Sequence, residues 1–259
     1  MDLGISGKHA LIFGGSRGMG RACAQQLSQE GVHVVIAART EATLAQAASE
    51  IGNLTGTPVK YVVADITTEQ GRNAALAACP APDIILNNAD GPTPSDFRDL
   101  TVEDWHRALD SMMLGPIEMI RLTVDGMIER GFGRIVSIVS RSVKTPQGEL
   151  CLSNGARSGL VGFTAGLARQ TVRHGVTVNN ILPGVFATDA QRRHIHGMLP
   201  DSDRTFDQLW EERGKNNPAG RYGQPEEVGA LCAFLCSAHA GYITGQNILI
   251  DGGSYPGTY

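Results

Sequence analysis

The sequence predicts an α/β protein of the doubly wound, Rossmann type, and three observations carry that prediction. Short apolar, β-rich runs alternate with longer stretches of helical spacing along the chain. Most of these runs are apolar at consecutive positions, as expected of parallel strands covered on both faces. A glycine-rich turn, Gly14-Gly15-Ser16-Arg17-Gly18-Met19-Gly20, joins the first run to the first helical stretch.

In chain order, strands are expected over residues 10–13, 32–37, 61–64, 83–86, 134–138, 176–182 and 247–250. Helices are expected over 20–30, 42–51, 102–130 and 155–174, where apolar residues return at helical spacing. Strand-to-helix alternation without repeat or linker implies right-handed crossovers in a single domain spanning residues 1–259. One segment, 187–223, is polar and charged and is interrupted by Pro200 and Pro218. Its place in the order puts it over the carboxyl ends of the strands, where ligands bind, so it reads as a lid or substrate-binding insertion. Met198, Leu199, Phe206, Leu209 and Trp210 within it would line an apolar pocket or pack between helices.

Composition excludes several classes. A net charge of −4, no basic block and 5% aromatic residues do not make a nucleic-acid surface or a basic membrane face. No run approaches the roughly 18 apolar residues of a membrane helix. The five cysteines, Cys23, Cys79, Cys151, Cys232 and Cys236, are odd in number and contain no CxxC pair. That spacing suggests neither a disulfide framework nor a zinc site. With no signal-peptide pattern in the first residues, the expected location is cytoplasmic.

The glycine turn carries chemistry because of its context. Gly14, Gly18 and Gly20 follow a strand and open a helix, which allows backbone to approach a pyrophosphate at the helix N-terminus. The turn lacks the Gly-Lys-Ser/Thr ending of a nucleoside-triphosphate loop. At the end of the second strand an acidic residue would bond the ribose 2′-hydroxyl; Ala38 stands there instead and Arg39 follows. Arg17 in the turn and Arg39 together favour a 2′-phosphate, and hence NADP(H).

Further segments fall into line with that turn: Ala64-Asp65-Ile66, Asn87-Asn88-Ala89, Pro183-Gly184 with Thr188, Pro218-Ala219-Gly220-Arg221, Pro225-Glu226-Glu227 and Asp251-Gly252-Gly253. The ordered set resembles the short-chain dehydrogenase/reductase superfamily, particularly its 3-oxoacyl-carrier-protein-reductase-like members, over essentially the whole chain. The resemblance implies that Asp65 and Ile66 meet the adenine and that Asn87 and Ala89 line its ribose. It implies that Pro183, Gly184 and Thr188 hold the nicotinamide carboxamide. It also implies a homotetramer or homodimer built partly on the 102–130 and 155–174 helices.

The catalytic set departs from the family. That set is an Asn, a Ser and a Tyr-x-x-x-Lys pair on one helix. Ser140 matches the Ser, but Ser153 stands in the Tyr position, Arg157 in the Lys position and Met112 in the Asn position. Asp90 replaces the usual Gly after Ala89. A tyrosine with a pKa of about 10 makes a usable acid when that pKa is pulled down; an alkanol ionises far less readily, and arginine effectively never deprotonates. Losing a general acid costs roughly 10²–10⁴ in rate. Arg157 lies one turn past Ser153 and would still reach the nicotinamide ribose. Lys144, four residues past Ser140, is the first candidate for a replacement donor, followed by Asp90, Glu149, Cys151, His194 and His196. The expected function is an NADP(H)-dependent oxidoreductase acting on a small-molecule carbonyl, alcohol or conjugated double bond. The alternatives are a cofactor-retaining sensor or partner protein, and a non-redox lyase or isomerase.

Overall fold

Seven strands, β1 (His9–Phe13), β2 (His33–Ala38), β3 (Lys60–Val63), β4 (Ile84–Asn88), β5 (Gly133–Ile138), β6 (Val176–Pro183) and β7 (Asn247–Ile250), form one sheet. Their order is β3-β2-β1-β4-β5-β6-β7 and every neighbouring pair is parallel. All seven strands fall within two residues of their expected ends. The structure, a computed structural model, describes residues 1–199 and 202–258, without the side chain of Met198. Pro200 and the Met198 side chain, both invoked for the lid segment, therefore lie outside the described residues.

Consecutive apolar residues in the strands serve two cores. Ala10 and Ile12 of β1 point into one cluster, with Val34 and Ile36 of β2. Leu11 and Phe13 point into the other, with Val35, Ile85 and Ile135. The first core is covered by α1 (Gly18–Gln29), α2 (Glu41–Thr55) and α9 (Pro225–Cys236). The second is covered by α3 (Glu69–Ala78), α5 (Gly115–Glu129) and α6 (Cys151–Thr171). Burial on both faces is what makes a parallel strand read as an unbroken apolar run.

One expected helix is three pieces. Residues 102–130 divide into α4 (Val102–Leu109), a π-type turn at Asp110–Leu114 and α5. Pro116, in the first turn of α5, has no N–H to donate, which suits a helix start and not a helix interior. The π turn buries Met112 against Ala108, Leu152 and Ala156. The lid segment also holds regular structure: α7 (Asp189–Met198), capped by Thr188, and α8 (Phe206–Lys215), capped by Thr205. These helices are joined by a ladder of rings in which His196 stacks on Phe206, Phe206 on Trp210, and Trp210 on Tyr222. Phe206 and Trp210 thus pack between elements, as the second of the two expected roles had it.

The strand order reverses between β1 and β4, so the crevice lies at the carboxyl ends of these strands. Among the described residues, no helix is long and apolar enough to cross a membrane. All five cysteines are free.

Candidate active site at the carboxyl edge of the sheet

The glycine turn is held by close packing that side chains would prevent. Gly14 and Gly18 have φ of 63° and 52°, in the left-handed region open to glycine. A Cβ on Gly14 would stand 2.7 Å from the Asn88 carbonyl oxygen, and one on Gly20 would overlap the Gly14 carbonyl oxygen. Asn88 Nδ2 donates to that same carbonyl at 3.3 Å, tying the turn to the end of β4. No side chain caps the N-terminus of α1 and no acidic residue occupies its first turn. Its free N–H groups and the positive end of its dipole therefore suit a phosphate. Ser16 and Met19 are partly buried in the turn, Met19 against the first core. Arg17 and Arg39 are both exposed, and neither side chain makes an ion pair or hydrogen bond among the described residues.

The other residues expected to face a dinucleotide lie on the same edge. Asp65 follows β3 and accepts from the backbone N–H and hydroxyl of Thr67 through one oxygen, while Ile66 packs on the second core. Asn87 is buried at the end of β4; its amide donates to Ser137 Oγ at 3.5 Å, and its Oδ1 has no hydrogen-bond partner. Pro183 ends β6, and a Cβ on Gly184 would come within 2.7 Å of Asp251 Cβ. Thr188 reaches across to the glycine turn, where a Cβ on Gly18 would stand 3.6 Å from its methyl group.

The altered catalytic positions form a connected group. Ser153 and Arg157 lie one turn apart on α6, and Arg157 Nη1 donates to Ser153 Oγ at 3.2 Å. Its Nη2 donates to the Ala89 carbonyl at 2.9 Å, bridging α6 to the loop after β4. Burial holds the guanidinium at about 10, below its usual range, and Asp90 opposes the shift; it remains a cation near neutral pH. Ser140 caps the short 3₁₀ turn at Arg141–Val143, and its Oγ accepts from the Ser142 N–H at 3.1 Å.

Of the expected replacement donors, Asp90 acts on the Arg157 guanidinium, while Lys144, Cys151 and His196 are engaged elsewhere. Lys144 Nζ lies 5.5 Å over the Tyr255 ring, and no hydrogen bond joins it to Ser140 or Ser153. Cys151 Sγ bonds the Gly148 carbonyl at 2.7 Å. Asp90 pairs at 3.6 Å with Arg193 on α7, joining the loop after β4 to the lid helices. His196 belongs to the ring ladder. His194 is partly buried, and burial and then Arg213 lower its pKa, while Glu149 raises it.

Sequence reasoning missed Arg141, Arg193 and Arg213. Arg141 directly follows Ser140, and Arg213 sits four residues past buried Leu209 on α8, so each had a positional signal. Arg141 and Arg213 line a cavity of ≈ 340 Å³ beneath α7 and α8. A second cavity of ≈ 490 Å³, around His9, His33 and Cys79, includes the amino ends of β1 and β2 and lies away from this edge.

A family model described as enoyl-(acyl carrier protein) reductase matches residues 14–255. The chain is 31% identical to the 3-oxoacyl-[acyl-carrier-protein] reductase of Vibrio harveyi, over 98% of this chain and 99% of the relative. It is 32% identical to the reductase of the same name from Aquifex aeolicus, over 98% and 100%. It superposes on L-sorbose reductase from Gluconobacter frateurii, solved with NADPH and L-sorbose, with a TM-score of 0.93 and 29% identity over 99% and 100% of the two chains.

Proposed function

The chain belongs to the short-chain dehydrogenase/reductase superfamily, and on that premise we propose that it is an NADP(H)-dependent oxidoreductase of a carbonyl, alcohol or conjugated double bond that works without the family's tyrosine acid. The residues present fit the cofactor. The uncapped N-terminus of α1 suits the pyrophosphate, and the orphaned Asn87 Oδ1 suits a ribose hydroxyl. The unpaired Arg17 and Arg39 suit a 2′-phosphate where an acidic residue would repel it. Asp65, Ile66, Ala89, Pro183, Gly184 and Thr188 would complete the cradle.

The observation that carries the catalytic part is the Arg157 bridge between Ser153 Oγ and the Ala89 carbonyl. A guanidinium only donates, so the Ser153 hydroxyl keeps its own hydrogen for another acceptor. Ser140 accepts from the Ser142 N–H and likewise keeps its hydrogen. Held in that cradle, NADPH would supply the hydride for the carbonyl carbon. Ser140 orients the carbonyl oxygen, and Ser153, polarised by the fixed cation behind it, helps to stabilise the charge that develops there. The proton that completes the alcohol comes from water, since neither a serine nor an arginine releases one near neutral pH. Lys144 is left out of this scheme because its ammonium group lies over Tyr255.

Self-association fits the same reading. Leu122 on α5 and Phe163 on α6 are exposed, and Gly162 and Gly166 leave open space along α6 where a second helix pair would pack into a dimer or tetramer. The test of the function is cofactor binding by nucleotide fluorescence, followed by NADPH oxidation against ketones, aldehydes and enones. NADPH should bind at least about tenfold tighter than NADH, with turnover in one of the three arms. Equal binding of NADH would sink the cofactor assignment. Tight NADPH binding without turnover in any arm would replace the enzyme by a cofactor-retaining sensor or partner.

A further inference from the structure

The cavity beneath α7 and α8 is reached from Ser140 through its chain neighbour Arg141 and is rich in cations. Arg141, Arg204 and Arg213 line it, against one carboxylate, Glu212. Glu212 is already paired with Arg204. Arg141 donates only to the Ser254 hydroxyl and has no carboxylate partner among the described residues. Arg213 makes no hydrogen bond or ion pair among the described residues, and its buried Nε has no acceptor. Burial, with a further contribution from Arg141, holds the Arg213 guanidinium below the usual arginine range, while Tyr222 and Glu149 act in the opposite direction. Asn217 at this wall is committed to the Asp251 carbonyl and the Ala219 N–H, both Asp251 carboxylate oxygens accept backbone N–H groups, and the Gln147 and Asn216 amides that also line the cavity carry no charge. Two half-buried guanidiniums without an ion-pair partner among the described residues therefore remain, with Glu149 acting on Arg213 but not paired to it, and an anionic ligand would complete both.

The opposite wall is apolar, made by Val185 after β6, Ile195 of α7 and Leu209 of α8. A volume of ≈ 340 Å³ sits at the small end of ligand sites. We propose that this cavity is an anion-selective substrate subsite, in which Arg213 and Arg141 hold the carboxylate or phosphate of a small organic anion whose carbonyl faces Ser140. The proposal deepens the reductase reading and rests on it. It names the substrate class as short oxo-acids or phosphorylated carbonyl compounds, since guanidinium forks match both oxyanions.

The experiment is calorimetric binding to the full chain, with and without NADP⁺, using two matched pairs. These are 4-oxopentanoate against its methyl ester, and dihydroxyacetone phosphate against dihydroxyacetone. At least one anion should bind about ten- to a hundredfold tighter than its uncharged partner, the range expected of hydrogen bonds to a charged group. The pair with the larger preference identifies carboxylate or phosphate as the source. Arg213→Gln and, separately, Arg141→Gln should each reduce the preference to a few-fold without changing NADPH affinity. Arg213→Lys should restore part of it. Anions that bind no better than their neutral partners, or not at all up to 10 mM (roughly the weak limit of specific binding), overturn the subsite. So does a preference that survives both glutamine variants. Failure of NADPH to bind, by contrast, falls on the reductase reading alone, because the anion preference is also read on the cofactor-free protein.

Discussion

Replacing Arg157 by Met keeps much of the side chain's bulk and removes its charge and both hydrogen bonds. Two opposing contributions set the stability effect. A guanidinium pulled down to about 10 from the usual arginine range has its charged form disfavoured by about 3 kcal/mol, and the substitution relieves that. Against it stand the bonds to Ser153 Oγ and the Ala89 carbonyl, each worth about 1.5–3 kcal/mol as a bond to a charged group. The two nearly offset, leaving a net loss of about 0–3 kcal/mol and a Tm lowered by no more than about 10 °C in a chain of this size. Activity should respond out of proportion. Removing a fixed donor from a developing oxyanion costs about 10²–10³ in kcat, and Arg157 acts there through Ser153, as a positioning residue. The assay is kcat and KM on the best carbonyl substrate beside a thermal melt and NADPH binding. The expected pattern is a large fall in kcat with KM for the carbonyl changed by only a few-fold. Arg157→Lys should recover part of the rate, since one ammonium group can serve Ser153 or Ala89 but lacks the fork that serves both. A kcat within threefold of the parent would refute the reasoning, as would a melt lowered by more than about 15 °C, which would make the bridge a structural strut.

Three further outcomes follow from the same edge and its surroundings. Gly20→Ala puts a Cβ into the Gly14 carbonyl and 2.8 Å from Asn88 Nδ2, so NADPH affinity measured by fluorescence should fall by about a hundredfold or more while the far-ultraviolet circular dichroism stays that of the parent. Arg39→Asp should weaken NADPH about ten- to a hundredfold and leave NADH unchanged or improved, because the carboxylate repels a 2′-phosphate and accepts from a 2′-hydroxyl; equal loss of both nucleotides would place Arg39 outside the phosphate site. Glu227 is held at about 2 by Arg221, which pairs with both its oxygens, and by the Gln224 N–H at the start of α9. A carboxylate depressed in the folded state contributes stability that is full above about 4.5 and is lost as pH falls toward 2. The pair is exposed, so Glu227→Gln should cost about 1 kcal/mol or less near neutral pH and nothing below pH 2, as read by melts across that range.

The strands were legible because each serves two cores. Neighbours such as Ile12 and Phe13 enter opposite clusters, and both positions must therefore be apolar. The glycine turn was legible because Gly14 and Gly20 press on backbone oxygens and Gly14 and Gly18 have positive φ, which glycine permits. The π turn at Asp110–Leu114 was hidden, since one extra residue per turn barely disturbs apolar spacing and Pro116 was read as part of a longer helix. The helix α9 was missed for another reason. It is packed against α1, with a Cβ on Gly229 only 2.7 Å from the Ala22 carbonyl, so small and apolar residues run along it without a polar face to mark the period. The direction of Lys144 depends on Tyr255, a partner no local pattern announces. Arg213 was overlooked inside a segment read as polar, although its spacing from Leu209 puts it on the buried stripe.

The placement of charge gives these observations a common cause. The chain carries a net charge of −4, so at long range it repels a dinucleotide phosphate and an acidic substrate alike. Attraction must then be local, and along the carboxyl edge it is supplied by arginine. Arg17 lies in the glycine turn and Arg39 just past β2, Arg157 on α6 beside the loop after β4, and Arg141 and Arg213 at the cavity beneath α7 and α8. Several carboxylates near this line are engaged with other groups: Asp90 with Arg193, Glu212 with Arg204, and Asp251 with backbone N–H groups. Lysine would supply the same charge with its donors on one nitrogen, whereas Arg157 reaches Ser153 and Ala89 from two separate nitrogens, Nη1 and Nη2. The exchange of Tyr-x-x-x-Lys for Ser153-x-x-x-Arg157 is coherent on these terms. On the proposed reading, the reach lost with the shorter hydroxyl residue is made up by a longer cation, and fixed positive charge takes the place of proton donation.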